Sequence, residues 1–275
     1  MRAIWKGFVS FGLVTIPVNV GIAQDRQDPS FRTLVRETMR PVRQKRWDED
    51  ADREVDAADT VKGYEFAKGR YVVVEEEELA RFAPAQEKTV QILQFVALDE
   101  VDPVYFEKAY WLEPQERAER PYRLLATALE DTGKAAIGRF VLSTKEHLVL
   151  VRSIDGVLAL QTLYYPEDVR MGVREEIAGR LGDGEVVKAE LDMAKQLIEG
   201  MTAEFDPAKY PNETRKAIME MLEARADGQE VAVPDERPEA APVVDLMEAL
   251  KASLAANAAK AEASDKEPAE ERKAS

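Results

Sequence analysis

Cysteine is absent from this 275-residue chain, and histidine occurs once, as His147. The absence of thiols excludes disulfides, thiolate nucleophiles and cysteine-based zinc sites. A Ser-His-Asp triad would have to use His147, and a metal centre would have to be built from carboxylates alone. We therefore predict a protein that is not an enzyme, has no catalytic residue, binds no metal and needs no cofactor.

A long apolar segment is also lacking. No apolar run approaches the roughly 20 residues that a membrane-spanning helix needs. Residues 1–6 do not form the apolar core or the small-residue cleavage site of a signal peptide. We expect a cytoplasmic, nucleoid-associated protein with no membrane partner.

Positive charge is scarce overall but concentrated near the start of the chain. The net charge is −15. Residues 1–46 hold nine basic and three acidic side chains, a local charge of +6, which leaves −21 on the remainder. Such asymmetry indicates that one element faces a polyanion while the rest of the molecule repels it. Composition alone leaves open the alternative of a solvated basic hairpin that has no partner.

Short strands separated by turns dominate the first two thirds of the chain. β-Forming residues predict strands within residues 8–20, 61–66, 70–74, 89–92, 110–112, 137–142, 147–152 and 157–164. Asp155 and Gly156 form a strong hairpin signal, because both turn positions need positive φ. Pro121 and Gly133 delimit a predicted helix. This pattern is typical of a β-barrel or a sandwich.

The pattern becomes helical after residue 186. Apolar residues recur at helical spacing within 191–201 and 218–226, and Val243, Val244, Met247, Leu250 and Leu254 form a narrow stripe beyond a Pro/Glu/Ala segment. The predicted domains are a strand-rich core at 1–186, a helical segment at 187–228, a linker at 229–242, a short helix at 243–256 and a disordered tail at 257–275.

Several separated motifs resemble the prokaryotic Ku family. The segments MRAIWKG at 1–7 and SFGLV at 10–14 are similar to the opening signature of that family. The segments VKGYE at 61–65 and GRYVV at 69–73 match a second block, and LDEVDPVYF at 98–106 matches a third. The similarity spans residues 1–228 and resumes at 243–254.

The resemblance implies a mainly β fold with helices (α+β). In that fold a β-barrel core at 1–186 carries a long β bridge insertion, here at about 26–62, that arches over DNA. A helical C-terminal arm, here at 187–228, follows and serves dimerisation. It further implies a homodimeric ring that binds double-stranded DNA ends without sequence specificity. Members of the family recruit a multifunctional ATP-dependent DNA ligase, of the ligase D type, in non-homologous end joining.

The candidate DNA contacts follow from the basic segment within this bridge. A β-ribbon that presents arginines can touch successive phosphates without reading bases. Arg43 and Lys45 alternate as one face of a strand would, and Arg32 and Arg36 lie one turn apart if that stretch is helical. The candidate DNA-binding residues are Arg32, Arg36, Arg40, Arg43, Lys45, Arg46, Lys134 and Lys145. The last two belong to a second basic stretch at 134–152, which equally fits outward-facing polar positions of a barrel.

The C-terminal stripe is the candidate partner-binding site. The resemblance places ligase contact there, and a short amphipathic helix suits docking into a groove. The candidate residues are Val244, Met247, Leu250 and Leu254. A helix folded back on its own core is the alternative.

One departure from the family pattern, one acidic cluster and two rival functions remain to be considered. Relatives often carry a Cys-x-x-Cys pair where this chain has Trp47 to Asp52, so we predict an acidic turn without metal there. The glutamates at 75–78 suit a helix N-terminus better than catalysis. The rivals are an acidic protein-interaction scaffold without DNA-end binding and a hydrolase that uses acidic residues.

Overall fold

A computed structural model describes residues 1–82, 88–142, 145–228 and 246–264, with side chains in the last segment described for 247–256. The chain divides into two compact units, Met1–Val173 and Arg174–Ser275. The division falls earlier in the chain than the predicted boundary at 186, because the last barrel strand already ends at Leu163. The two units are described separately.

The first unit is built on a closed β-barrel. Its described elements are β1 (Ala3–Phe11), β2 (Val14–Ile22), β3 (Trp47–Asp48), β4 (Arg53–Glu54), β5 (Lys62–Ala67), β6 (Arg70–Val74), α1 (Glu76–Phe82), β7 (Thr89–Ala97), β8 (Phe106–Pro114), α2 (Glu119–Thr132), β9 (Lys134–Leu142), β10 (Lys145–Ile154) and β11 (Val157–Leu163). The barrel order is β1-β2-β8-β11-β10-β9-β7. Neighbours are antiparallel except β1 and β7, which close the barrel in parallel. The predicted fold class is confirmed.

Alternation along the strands fills the barrel interior. Ile16, Val18 and Val20 are fully buried on β2 and are separated by half-buried Pro17 and Asn19. This period of two is the expected pattern of a strand with one face in the core. Pro17 is tolerated because the pairing of β8 with β2 begins only at Val18. Beyond it, the Pro17 carbonyl oxygen accepts a hydrogen bond from Gln115 N–H at 3.0 Å, and this contact needs no N–H on the proline.

Helix α2 contributes its apolar face to the barrel core. Tyr122, Leu125, Ala126 and Leu129 are buried at helical spacing and belong to the main core cluster. Gly133 ends the helix in the left-handed conformation, with φ of 61°. The boundaries that Pro121 and Gly133 predict are therefore close to those observed.

The Tyr122 hydroxyl connects the helix to two strands. It donates a hydrogen bond to the Leu112 carbonyl oxygen and accepts one from the Leu158 backbone N–H, each at 2.7 Å. Burial raises the pKa of Tyr122, and the hydrogen bond from Leu158 opposes that shift. The hydroxyl thus satisfies two backbone groups on neighbouring strands β8 and β11.

Two glycines are needed for local backbone reasons. Gly156 has φ of 78° and follows Asp155, whose φ is 50°, so the predicted hairpin turn between β10 and β11 is confirmed. Gly138 on β9 lies against β7, where a Cβ atom would collide with the Gln91 carbonyl oxygen. Close approach of the two strands therefore depends on the missing side chain.

Helices make up the described part of the second unit. They are α4 (Lys188–Met201), α5 (Glu213–Ala226) and α6 (Leu246–Ser264), while α3 (Met171–Leu181) crosses the division between the units. Helix α6 packs against α4. It ends at Ser264 rather than near 256, because the alanine-rich sequence after Leu254 favours helix. The predicted linker, Val244 and the segment 265–275 lie outside the described residues.

Among the helices of the described residues, none combines the length and apolar character that crossing a membrane requires.

Candidate nucleic-acid interface

A long insertion leaves the barrel between β2 and β7. It comprises residues 23–88 and contains β3 to β6 and α1. In its described part, 23–82 and 88, no residue is buried, and nearly all are exposed. The predicted bridge at 26–62 forms the first two thirds of this insertion. Its side chains therefore face solvent rather than a core.

Residues 32–43 form what we call the arginine hairpin. Backbone hydrogen bonds join Val42 N–H to the Thr33 carbonyl oxygen at 3.1 Å and Val35 N–H to the Arg40 carbonyl oxygen at 2.9 Å. Leu34 and Pro41 form an isolated β-bridge between these bonds. Met39, with φ of 53°, lets the chain reverse. The segment is thus a short ribbon closed by a turn.

Four of the predicted DNA-binding residues lie on this hairpin. Arg32 and Arg43 flank its base, and Arg36 and Arg40 lie in or beside its turn. All four side chains are exposed. No ion pair joins them to another residue in the part of the chain that the structure describes. Four guanidinium groups on one small ribbon give a locally positive element that remains available to phosphate.

The detailed conformations differ from the sequence interpretation. The stretch with Arg32 and Arg36 is an extended strand followed by a turn, because Leu34 pairs with Pro41, so a helical turn does not relate these two arginines. Residues 43–46 have irregular backbone, and the strand that follows them is only Trp47–Asp48. Alternation along a strand therefore does not align Arg43 with Lys45.

An acidic hairpin follows directly. Strands β3 and β4 pair Trp47 with Glu54, and the turn between them contains Asp52 with φ of 48°. The Asp48 carboxylate accepts hydrogen bonds from the N–H groups of Asp50 and Ala51, at 3.2 and 3.3 Å. This carboxylate stabilises its own turn, as expected for an Asx-type motif.

The acidic hairpin is tied to the basic segment through Lys45. The Lys45 ammonium forms an ion pair with the Glu54 carboxylate, and the Arg46 carbonyl oxygen accepts a hydrogen bond from Val55 N–H at 3.0 Å. Lys45 is therefore partly neutralised, whereas the hairpin arginines are not. The described residues contain no group of three or more acidic, histidine or cysteine side chains that could hold a metal ion.

A third hairpin, β5–β6, adds cations that the sequence interpretation missed. Arg70 stacks over the Phe66 ring, with its guanidinium carbon 4.8 Å from the ring centroid. Tyr64 and Tyr71 are more than half exposed. Lys62 is paired with Glu76 at 3.0 Å. Lys68 and Arg70 flank the Gly69 turn, and this basic turn at a hairpin tip was the available signal.

Lys134 and Lys145 are not brought together. Both are exposed, but Lys134 begins β9, and Lys145 begins β10, where it pairs with Leu142 at the far end of β9. Eight residues of strand separate the two positions, or about 26 Å at the usual rise per residue. Between them, Arg139 lies 3.9 Å from the Glu146 carboxylate. The second basic stretch is therefore not a compact cluster.

The acidic candidates have local structural roles. The Glu100 carboxylate accepts a hydrogen bond from Ala97 N–H at 3.2 Å, and Asp102 accepts one from Val104 N–H at 2.9 Å, so both cap short 3₁₀ helices. Glu76, Glu77 and Glu78 occupy the first turn of α1, where negative charge is favourable. These contacts give the carboxylates of Glu100 and Asp102 a local structural role.

The predicted partner-binding residues lie on α6. Met247, Leu250 and Leu254 are partly buried on the helix that packs against α4. Their i, i+3, i+7 spacing places them on one face. This arrangement is the folded-back alternative that the sequence left open.

The closed barrel and its exposed basic insertion can now be compared with known proteins. Residues 10–194 match the family model described as the Ku70/Ku80 beta-barrel domain. The chain belongs to the Ku family. A "Non-homologous end joining protein Ku" of Heliobacterium modesticaldum is 42% identical over 92% of this chain and 91% of its own. The homologue of the same name from Solibacter usitatus is 38% identical over 98% of both chains.

A Ku relative longer than this chain has the same level of sequence identity to it. The Symbiobacterium thermophilum protein, also named "Non-homologous end joining protein Ku", is 42% identical over 93% of this chain but 63% of its own length. The Ku family model extends past the last barrel strand into α4. The family assignment made from motifs at 1–14, 61–73 and 98–106 is confirmed.

Proposed function

We propose that this chain is a homodimeric, ring-forming Ku protein that binds double-stranded DNA ends without sequence preference. In this proposal it acts in non-homologous end joining and recruits an ATP-dependent DNA ligase of the ligase D type. The relatives named above carry that repair process in their names. The observation that carries the DNA-binding step is the arginine hairpin, an exposed ribbon with four unpaired guanidinium groups.

The chemistry of the hairpin suits phosphate rather than bases. Arginine makes bidentate hydrogen bonds to phosphate oxygens, and such contacts position a protein on a duplex without reading its sequence. Affinity then arises from counterion release, so it falls steeply as salt rises. The strongly negative remainder of the chain disfavours contact with DNA elsewhere.

Dimerisation is proposed through the second unit. Helix α4 exposes an apolar stripe: Leu191, Ile198 and Met201 are 40%, 66% and 67% exposed. Beyond the helix, Phe205 is 76% exposed and stacks on Tyr210 with 6.0 Å between ring centroids. Burying such a surface against a second copy is favourable, at roughly 25 cal/mol per Å² of apolar area. The solution mass of the protein with and without a short duplex tests this step.

The decisive experiment compares linear duplex with covalently closed circular DNA of the same sequence in a gel shift. A threaded ring needs an end and therefore captures only the linear form. Equal capture of both forms would exclude the ring. Binding of neither form would favour the rival function, an acidic scaffold that binds another protein.

The site itself is tested by replacing the four hairpin arginines, Arg32, Arg36, Arg40 and Arg43, with glutamine. We expect end binding to be lost while the barrel stays folded, because none of these residues is buried. The matched control removes four exposed charges from the second unit, at Arg180, Lys195, Lys216 and Arg225. Binding that survives in the hairpin variant would exclude the hairpin as the contact site.

A further inference from the structure

Helix α6 and helix α4 meet through one face of each. On α6, Met247, Leu250 and Leu254 are partly buried, whereas Glu248 and Lys251 are exposed. The two helices pack against one another within the second unit. The buried side of α6 is therefore the same stripe to which the proposed function assigns ligase binding.

Helix α4 has two apolar sides, and only one of them is covered. Glu190, Met193, Ala194 and Leu197 are partly buried. They follow the i, i+3, i+4, i+7 spacing of a single face. Leu191 and Ile198, seven residues apart, lie on a different side of the helix and are exposed. We call the covered set, 190–197, the α4 receptor face.

A single narrow stripe cannot occupy two grooves at once. After Leu254 the helix continues as alanine, asparagine, lysine, glutamate and serine, without another large apolar residue. Docking on a partner groove through i, i+3 and i+7 anchors would use the same three side chains that pack against α4. Occupation of the receptor face and occupation of a ligase groove are therefore mutually exclusive.

We propose that the α4 receptor face is an intramolecular binding site for α6 and masks its partner-binding stripe, so that a ligase must compete with α4 for it. This inference depends on the proposed ligase-binding role of the stripe. The apparent affinity for the ligase is then lowered by the fraction of molecules in which α6 is released. The stripe is only partly buried in this contact, and a partner helix must displace α4 to bind it.

The first test weakens the receptor face in the full-length protein. Ala194→Glu places a charge among the partly buried residues of α4, and Gln196→Glu adds the same charge at an exposed position of the same helix. We expect Ala194→Glu to speed amide hydrogen exchange at 247–254 and to raise affinity for the host's own ATP-dependent ligase by roughly threefold to tenfold. Gln196→Glu should change neither quantity.

The second test uses the absence of cysteine from the chain. Cysteines are introduced at Ala194 and Ala249, on the partly buried sides of the two helices. A short bismaleimide with a reducible spacer then joins them. We expect the cross-linked protein to lose ligase binding and to regain it after reduction. Failure to cross-link, or full ligase binding by the cross-linked form, would overturn the masking.

The two proposals fail differently. Met247→Asp combined with Leu250→Asp should abolish ligase binding whether or not α6 is masked. If that variant still binds ligase normally, the proposed role of the stripe is wrong. Suppose instead that the Met247→Asp/Leu250→Asp variant loses ligase binding, while Ala194→Glu has the amide hydrogen exchange and the ligase affinity of the unmodified protein. Only the masking is then wrong.

Discussion

The Lys45 ammonium is paired with the Glu54 carboxylate across the junction between the arginine hairpin and the acidic hairpin. Both side chains remain about half exposed or more, at 64% and 47%. An exposed pair of this kind contributes little to stability. In the proposed DNA complex, Glu54 would compete with phosphate for Lys45, whereas the unpaired arginines have no such competitor among the described residues.

Replacing Glu54 with glutamine should therefore strengthen DNA binding. The released Lys45 gains a phosphate contact, so the slope of log affinity against log salt should steepen by up to about 0.9. Fluorescence anisotropy with a short blunt duplex at several salt concentrations measures this slope. Asp59→Asn removes the same charge from the insertion without releasing a lysine. An equal increase in that control would mean that net charge alone, and not Lys45, is responsible.

The hairpin arginines and the two barrel lysines should behave differently in the same assay. Each arginine-to-glutamine change at 32, 36, 40 or 43 should reduce the salt slope by about 0.9, since each removes about one phosphate contact. Lys134→Gln and Lys145→Gln together should reduce it by less than one such step, because Lys134 begins β9, whereas Lys145 begins β10 and pairs with Leu142 at the far end of β9. A loss of two full steps from the lysine pair would place the DNA across the barrel strands.

Removing the Tyr122 hydroxyl should destabilise the barrel. Tyr122→Phe leaves the Leu112 carbonyl oxygen and the Leu158 N–H without their partner, which costs about 1–3 kcal/mol at neutral pH. Urea unfolding monitored by circular dichroism gives this difference. Unchanged stability would mean that other groups satisfy the two backbone atoms.

The same hydroxyl predicts a pH dependence. Burial raises the pKa of Tyr122 in the folded state, so folding favours the protonated phenol. Its contribution is complete below the unfolded-state pKa of about 10 and is lost as the pH rises through the higher folded-state pKa. The unmodified protein should therefore lose more stability than Tyr122→Phe between about pH 9 and pH 11. Parallel pH profiles would contradict this account.

A methyl group at Gly138 should strain the barrel where β9 crosses β7. The new Cβ would meet the Gln91 carbonyl oxygen, which belongs to a paired strand and cannot move freely. We expect Gly138→Ala to cost about 1–3 kcal/mol, in the range of overpacked cores. Gly172→Ala is the control, because its Cβ would meet open space in α3 and should be neutral or slightly stabilising.

The sequence predicts those elements whose signals are local. The positive-φ turn at Asp155 and Gly156 and the helix end at Gly133 are examples. Each depends on residues within a few positions of one another, and both are observed. The pairing of β1 with β7 has no comparable signal, since 77 residues separate Phe11 from Thr89. Barrel closure therefore came from the family resemblance and not from periodicity.

The candidate site was predictable in composition but not in geometry. The arginines at 32, 36, 40 and 43 are visible in the sequence, yet their arrangement depends on the reversal at Met39, a residue that seldom adopts positive φ. Lys134 and Lys145 belong to one basic stretch of the sequence, but strand β9 extends the chain between them and keeps them apart. The contact between α6 and α4 is tertiary, and amphipathic spacing alone does not identify the surface that a helix covers.

The insertion between Ile22 and Thr89 contributes no buried side chain in its described part, so the barrel does not draw its stability from it. In the proposed function, the stability of the barrel and the affinity for DNA are therefore set by different amino acids. Exchanges among the exposed charges of the insertion would then change how DNA binding responds to salt while leaving the scaffold unchanged.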